Sequence, residues 1–161
     1  MLGLLELSGE ATPYDLKQAV GATLGNFWSI QHAQLYTEPQ RLAEAGYLTE
    51  RREESGRRRR HYSLTKKGRE ALVEWRSTPT DRLSELRDLA LLKLFFGADR
   101  GPLAEVQAEA WRQKLAEYEA FKRLDTGEGP RNAWLTLDCG IEHTRVWIRF
   151  WESVGSDDDG S

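Results

Sequence analysis

The chain has 161 residues, enough for one or two small domains with a real hydrophobic core. Its 6 Trp, 5 Tyr and 5 Phe are too many aromatic residues for a disordered protein. No apolar run approaches the roughly 18 residues that a membrane span needs. The single cysteine, Cys139, excludes an internal disulfide framework and favours a reducing, cytoplasmic location.

The net charge of −3 argues against an even coat of nucleic-acid-binding charge, but the charge is unevenly distributed. Residues 46–70 carry nine basic and four acidic side chains, a local charge of +5. Residues 81–161 carry eleven basic and sixteen acidic side chains, a local charge of −5. The split predicts one end that faces DNA and one end that DNA does not touch.

Residues 2–25 predict two short helices. The first is apolar and ends at Ser8 and Gly9. In the second, Thr12 stands before Pro13, which pairs an N-cap residue with a proline at the first helical position. The side chains expected to face the core from this helix are Tyr14, Leu16 and Val20. Together with the helix that follows, this spacing predicts helix-turn-helix packing.

A third, longer helix is predicted from Ser29, which can cap its start, to Gly46, which can end it in a left-handed conformation. Its apolar positions are Ile30, Leu35, Leu42 and Ala45, and its outer side is polar. Pro39 lies inside this pattern, where it removes one backbone donor and clashes one turn back. We therefore expect this helix to be kinked or broken at Pro39.

Two strands, 48–53 and 58–64, are predicted to pair around the turn Glu54-Ser55-Gly56. Thr65 is expected to cap a further helix that runs to about Arg76. A helix followed at once by an arginine-tipped hairpin predicts a winged helix-turn-helix. In that fold the helix suits a major groove, and the hairpin suits the phosphates and the minor groove beside it.

Thr78-Pro79-Thr80 is the one linker-like stretch, so the winged helix-turn-helix domain is predicted to span residues 1–78. Three further helices are predicted at 81–96, 103–124 and 132–154, the second with a seam of Val106, Ala110, Tyr118 and Phe121. They are long and one-sided, so a monomer would leave their apolar faces uncovered. Residues 79–154 are therefore expected to form a helical dimerisation and effector domain, followed by a disordered acidic tail at 155–161. The predicted fold class is mostly α, with a small β-hairpin wing.

Two sets of side chains are candidates for DNA binding. From the third helix they are Ser29, Gln31, His32, Gln34 and Tyr36. Glutamine can bond bidentately to adenine, and serine or histidine to base edges or phosphates. From the hairpin tip they are Arg57, Arg58, Arg59 and Arg60, which strand alternation would send in pairs to opposite faces. The alternatives are an ordinary polar helix face, a solvated run of charge and, for Tyr36, a place in the core.

The aromatic residues of the C-terminal helices form a second candidate site, either a dimer interface or an effector pocket. They are Trp111, Tyr118, Trp134, Trp147 and Trp151. No catalytic constellation is present. The histidines lie in three separate elements without metal-ligand spacing, and the glycines form caps and turns and no phosphate-cradling loop. No cofactor and no metal are expected, and Cys139 is expected to be a packed thiol.

Seven segments, in this order, resemble the PadR family of repressors, in its branch with a shorter, Vir-like helical C-terminal region. They are LGLL at 2–5, PYDL at 13–16, FW at 27–28, QLY at 34–36, RLAEAGYL at 41–48, GRRRRHYSLTKKG at 56–68 and LRDLALLKLFFG at 86–97. Two positions depart from the family pattern. Thr-Pro-Tyr stands where His-Gly-Tyr or Ser-Gly-Tyr is usual, and Pro39 stands where a leucine is usual.

The resemblance implies a cytoplasmic homodimer that binds a pseudo-palindromic operator in double-stranded DNA and is released by a small aromatic effector. It also implies that the helix bearing Gln34 and Tyr36 enters the major groove, that Tyr36 contacts a phosphate, and that the hairpin after Gly46 meets the adjacent backbone. The alternative function is a winged-helix protein-interaction module, whose basic hairpin would bind an acidic partner and no operator.

Overall fold

The structure is a computed structural model that describes residues 1–28, 30–55, 58–127 and 131–156, with only the backbone described at Ala22 and Asn26. The chain divides into two compact units, Met1–Leu83 and Ser84–Ser161. The first contains α1 (Leu2–Ser8), α2 (Pro13–Ala22), a 3₁₀ turn (Leu24–Asn26), α3 (His32–Glu44), β1 (Leu48–Arg52), β2 (Arg60–Leu64) and α4 (Lys66–Ser77). The second contains α5 (Leu89–Phe95), α6 (Arg100–Lys122) and α7 (Arg131–Ser156). The predicted fold class, a winged helix-turn-helix followed by a helical region, is confirmed.

The predicted caps of α2 and α4 are confirmed. The Thr12 hydroxyl accepts a hydrogen bond from the Asp15 backbone N–H at 3.3 Å, and the Asp15 carboxylate accepts one from the Thr12 N–H at 2.9 Å. This reciprocal pair satisfies two backbone donors that the helix itself cannot use. The Thr65 hydroxyl likewise accepts from the Gly68 N–H at 3.0 Å. Both helices therefore begin directly after the threonine that the sequence predicts as their N-cap, Thr12 for α2 and Thr65 for α4.

The first unit has one core, which α1, α2 and α3 share with the hairpin. Its buried residues are Leu4, Leu5, Ala11, Leu16, Val20, Leu35, Leu48 and Tyr62. Burying a large apolar side chain contributes about 1.5–3 kcal/mol. The same residues that stabilise the unit therefore also hold α3 against the hairpin.

Of the two alternatives expected at Pro39, the break in α3 is wrong, and the kink stays a prediction. The helix is continuous from His32 to Glu44 and carries Pro39 in its interior. The proline still removes one backbone hydrogen bond, but its ring is fully buried, and this apolar burial offsets the loss. The start also differs from the prediction, because Gln31 is the N-cap residue, and Ser29 lies outside the described residues.

The hairpin is confirmed as an antiparallel pair that runs from Leu48 opposite Leu64 to Arg52 opposite Arg60. Gly46 has a φ of 80° at the end of α3, the left-handed conformation expected of it. The predicted alternation of the arginines is wrong at the tip. Arg58 has a φ of 49°, and β2 begins only at Arg60, so Arg58 and Arg59 belong to the turn.

The second unit departs from the prediction at its start. Residues 81–88 are not helical, and α5 begins after Asp88. The Asp88 carboxylate accepts hydrogen bonds from the Ala90 and Leu91 backbone N–H groups at 2.7 and 3.0 Å, so it caps a short helix at this point. Aspartate competes for backbone donors in this way, and therefore favours caps over helix interiors.

Helices α6 and α7 pack antiparallel along a seam of small and aromatic residues. A Cβ added to Gly155 would lie 3.3 Å from the Cβ of Ala104, and one added to Gly140 would lie 3.3 Å from the ring of Tyr118. Of the four residues predicted for the seam of α6, Tyr118 packs against α7, whereas Val106, Ala110 and Phe121 are exposed. The residues of α6 that are buried are Ala104 and Ala108. No helix in the described ranges is long and apolar enough to cross a membrane.

Gly68→Ala tests the contact between α4 and the end of α3. A Cβ there would overlap the carbonyl oxygen of Tyr47, a backbone atom that cannot move aside cheaply. We expect a loss of about 1–3 kcal/mol in the free energy of unfolding, typical of overpacking, measured by urea denaturation. Gly21→Ala is the control, because nothing lies within 4 Å of its added Cβ. It should leave stability unchanged or raise it by up to about 1 kcal/mol. Equal stability of the two variants would contradict the close contact.

Candidate nucleic-acid interface

The N-terminal end of α3 presents an exposed polar surface. Gln31 is the N-cap residue and His32 and Gln34 lie in the first turn, and all three side chains are exposed. Over the described ranges these three side chains form no hydrogen bond or ion pair, so their polar atoms are available to a ligand. Tyr36 is 52% exposed, which makes it a surface residue and removes the alternative that it belongs to the core.

Three of the five hairpin arginines that the structure describes are paired within the protein. Arg51 Nε donates to Glu10 Oε1 at 2.8 Å, and Arg52 Nε donates to Glu50 Oε1 at 2.7 Å. Arg60 Nη1 donates to Gln40 Oε1 at 2.9 Å. These contacts lower the free positive charge of the hairpin well below what the sequence indicates.

The side chains of Arg58 and Arg59 form no ion pair and no hydrogen bond with the part of the chain that is described. Both residues are exposed, and they lie at the turn where the wing would approach a ligand. Arg57, predicted as part of the same cluster, lies outside the described residues. The available guanidinium groups of the wing are therefore those of Arg58 and Arg59.

A cleft of about 720 Å³ lies between the start of α2, the middle of α3 and the start of β2. It is lined by Thr12, Pro13, Tyr14, Tyr36, Gln40, Arg59, Arg60 and Tyr62. It brings together one predicted residue of the helix, Tyr36, and two of the wing, Arg59 and Arg60. Its lining offers phenol, amide and guanidinium groups, which are suited to phosphate oxygens.

Tyr14 and Gln40 are cleft residues that the sequence reasoning missed. Tyr14 was expected in the core but is 60% exposed. The sequence could have predicted this exposure, because a residue two positions before the buried Leu16 lies on the opposite side of a helix. Gln40 had no such signal, because its place in the cleft depends on how the hairpin packs against α3.

Electrostatics at the base of the cleft are set by Glu50. The hydrogen bond from Arg52 is the main cause that lowers the pKa of the Glu50 carboxyl, and the Tyr62 hydroxyl and the charge of Arg60 act in the same direction. Burial raises the pKa of Tyr62. Near neutral pH Glu50 is therefore an anion, and Tyr62 keeps the proton with which it donates to Glu50 Oε2 at 3.1 Å.

The predicted aromatic site of the second unit separates into two groups. Trp111 and Trp147 are stacked, with ring centroids 5.8 Å apart and planes 9° from parallel. Phe150 bridges Trp147 to the fully buried Trp151 through edge contacts at 5.7 and 5.0 Å. The Trp147 indole N–H also donates to Nε2 of His143 at 2.8 Å.

The remaining two aromatic residues, Tyr118 and Trp134, each lie next to a lysine. Lys114 Nζ lies 5.3 Å from the centre of the Tyr118 ring, and Lys122 Nζ lies 5.7 Å from that of Trp134. In the described part of the chain, the buried indole N–H groups of Trp134 and Trp151 have no hydrogen-bond acceptor. Each group of aromatic residues thus contains one buried donor without a partner. Cys139, expected to be a packed thiol, is exposed on α7.

Comparison with known proteins identifies relatives for both units. Residues 1–74 match the family model described as "Transcriptional regulator PadR-like family". The negative transcriptional regulator PadR of Bacillus subtilis (strain 168) is 25% identical over 169 residues, which cover 96% of this chain and 92% of that protein. The alignment with this relative therefore covers the helical region of the chain as well as the winged helix.

Two solved structures show the same architecture. Bacillus subtilis PadR in complex with operator DNA is 27% identical, with a TM-score of 0.84, over 96% of this chain and 94% of that one. Bacillus subtilis PadR in complex with p-coumaric acid is 26% identical, with a TM-score of 0.80, over 99% of this chain and 96% of that one. The fold of this chain is thus similar to that of a regulator crystallised with DNA and with a small aromatic acid.

Proposed function

We propose that this chain, whose residues 1–74 match the PadR-like family model, is a DNA-binding transcriptional regulator of that family and acts as a repressor. In this proposal a homodimer binds a pseudo-palindromic operator and is released by a small aromatic effector. One observation carries it: the unpaired polar end of α3 lies in the same unit as an unpaired arginine turn, in a fold similar to that of a regulator solved with operator DNA.

We assign base recognition to the first turn of α3. Gln34 can present its amide to adenine in a bidentate pair, and Gln31 and His32 can bond to base edges or phosphates. Since α3 is continuous through Pro39, the helix can lie along the groove beyond Tyr36. Tyr36 is assigned to a phosphate, because its phenol is exposed at the cleft. Ser29, predicted to bind DNA, stays a prediction outside the described residues.

We assign phosphate binding to Arg58 and Arg59, with Tyr14 added on the α2 side of the cleft. Guanidinium groups bind phosphate oxygens bidentately, and these two have no hydrogen-bonded partner in the described ranges that a phosphate would have to displace. Arg57 stays in the proposal from sequence alone. Arg51 is paired with Glu10 and Arg52 with Glu50. A phosphate would have to compete with a carboxylate for either of these guanidinium groups.

Dimerisation is proposed through the second unit. Its helices leave large apolar side chains exposed, and these include Leu92, Phe95, Val106, Leu135, Val146 and Phe150. Many large exposed apolar side chains on the helices of one small unit favour an interaction surface. A twofold dimer would place two α3 helices about one DNA turn, roughly 34 Å, apart.

An aromatic effector is proposed from the relative solved with p-coumaric acid and from the aromatic residues of α6 and α7. The Trp111 and Trp147 stack offers a flat face, and the buried Trp151 N–H offers a donor without an acceptor in the described ranges. A planar acid could stack its ring on these indoles, and one of its oxygens would reach the Trp151 N–H only after the packing around this fully buried side chain opens. The same features also suit a plain dimer interface, which is the alternative for this cluster.

Replacing Arg58 and Arg59 by alanine, singly and together, tests the phosphate assignment. The probe is a duplex that the wild-type protein selects from a random-sequence pool. The slope of log affinity against log salt concentration should fall in magnitude by about 0.9 for each phosphate that the variant no longer binds. Binding should weaken similarly on selected and on unrelated duplexes, because phosphates carry no sequence.

Arg51→Ala is the matched control on the same hairpin, because Arg51 is already paired with Glu10. It should leave the salt slope unchanged. A slope that falls in the control and not in the Arg58 and Arg59 variants would contradict the assignment of the wing turn.

Calorimetric titration with p-coumaric acid and other planar phenolic acids tests the effector assignment. We expect saturable binding and weaker affinity for the selected duplex when the acid is present. Trp147→Leu should abolish both effects. Trp75→Leu, a change at a tryptophan of α4 that is 74% exposed, should abolish neither. If no acid binds, or if Trp147→Leu binds as wild type does, the cluster is an interface and not a pocket.

A further inference from the structure

Arg60 differs from Arg58 and Arg59 in what its side chain contacts. We propose that Arg60 does not bind DNA but is a positioning residue, which connects the wing to the recognition helix and sets the distance between them. The inference rests on the DNA-binding role proposed above, and it changes one part of it. Of the predicted arginine cluster, Arg60 would act through its neighbours and not on the phosphates.

The contact with the recognition helix is direct and directional. Arg60 Nη1 donates to Gln40 Oε1 at 2.9 Å. The other end of the same amide, Gln40 Nε2, donates to Glu44 Oε1 at 3.0 Å, one helical turn further along α3. Since the amide nitrogen is committed to Glu44, its oxygen is fixed towards Arg60. The orientation of Gln40 therefore does not depend on Arg60 alone.

The contact with the wing runs through Glu50. Arg60 Nη1 lies 3.7 Å from Glu50 Oε2, and the same oxygen accepts a hydrogen bond from the Tyr62 hydroxyl at 3.1 Å. The other carboxylate oxygen accepts from Arg52 Nε at 2.7 Å. Three groups of the two strands thus hold one carboxylate in place. Arg60 joins this fixed carboxylate to Gln40.

The far end of the connection is anchored in the core. Tyr62 is 1% exposed, and its backbone N–H and C=O pair with the C=O and N–H of Ala11 at 2.9 and 3.0 Å. A buried residue with two backbone hydrogen bonds lies in a close-packed interior that deforms little when a ligand binds at the surface. The contacts with Glu50 and Tyr62 therefore fix the position of Arg60 relative to the hydrophobic core. The hydrogen bond to Gln40 fixes it relative to α3.

The same geometry argues against a phosphate contact by Arg60. To bind a phosphate, its guanidinium would have to weaken its contact with Gln40, leave Glu50 with less of its opposing charge, or both. For Arg58 and Arg59 the cost is smaller, because in the described chain their side chains have no hydrogen bond or ion pair to break, although the charge of Arg59 acts on Glu53 and Asp15. Arg59 directly precedes Arg60 and lines the same cleft. Fixing Arg60 consequently fixes where Arg59 faces Tyr36 and Gln40.

The test compares Arg60→Met, Gln40→Leu, the double variant and Arg59→Met on the selected duplex over a series of salt concentrations. Arg60→Met and Gln40→Leu should each weaken binding by roughly tenfold, within the range seen for coupled neighbours. The double variant should be no weaker than the weaker single variant, because both changes break one connection. The salt slope should stay at the wild-type value in these three and fall by about 0.9 only in Arg59→Met. Circular dichroism and urea denaturation confirm that each variant is folded.

Two results in this assay would overturn the proposal. One is a salt slope that falls by about 0.9 in Arg60→Met, which would make Arg60 a phosphate ligand. The other is a double variant whose loss of affinity is the product of the single losses, which would show that Gln40 and Arg60 act independently.

A second readout needs no DNA and separates this inference from the proposed function. Spin labels at Thr37→Cys on α3 and Ser55→Cys at the wing turn, in a Cys139→Ser background diluted with unlabelled protein, report the distance between the two elements. The distance distribution should be narrow in the otherwise unaltered chain and in Arg59→Met, and broader in Arg60→Met and Gln40→Leu. An unchanged distribution in Arg60→Met would overturn the positioning role even if DNA binding is normal. If the wild-type protein selects no duplex while the distributions behave as expected, the proposed function fails and the connection stands.

Discussion

Tyr62 joins the hairpin to the helical core of the first unit. Its ring is fully buried, its backbone pairs with Ala11 just before α2, and its hydroxyl donates to Glu50 on the neighbouring strand. A buried tyrosine is stable only when its hydroxyl has a partner, so the side chain needs the core and Glu50 together. Because α2, the hairpin and the Glu50 carboxylate all meet this residue, the wing is a fixed extension of the core.

The distribution of ion pairs decides how much of the basic hairpin can serve DNA. The sequence shows a strongly basic segment, but Glu10 and Glu50 take up Arg51 and Arg52, and Glu50 and Gln40 hold Arg60. What remains available within the described ranges is a two-residue turn. A chain with a net charge of −3 thus leaves two guanidinium groups without an ion pair at the described part of the hairpin tip, where they would attract a polyanion locally.

Local features were predictable from sequence, and features that depend on packing were not. The caps at Thr12 and Thr65 involve residues three positions apart, so the sequence contains both partners. The continuity of α3 through Pro39 depends on burial of the ring by other elements, which no local pattern shows. The pairing of Arg51 with Glu10 joins residues 41 positions apart, and it follows from hairpin register and helix packing together. Packing also explains why Arg60 is hydrogen-bonded to Gln40 while the side chain of the neighbouring Arg59 has no hydrogen bond in the described chain.

We propose that two winged-helix units act as a symmetric pair on DNA. Hydroxyl-radical footprinting of the wild-type protein on its selected duplex, with the mass of the complex measured by analytical ultracentrifugation, tests this claim directly. We expect one dimer per duplex and two protected regions related by twofold symmetry, with centres about one helical turn, roughly 34 Å, apart. A single protected region with one protomer bound, or no protection at any salt concentration that keeps the protein folded, would contradict it.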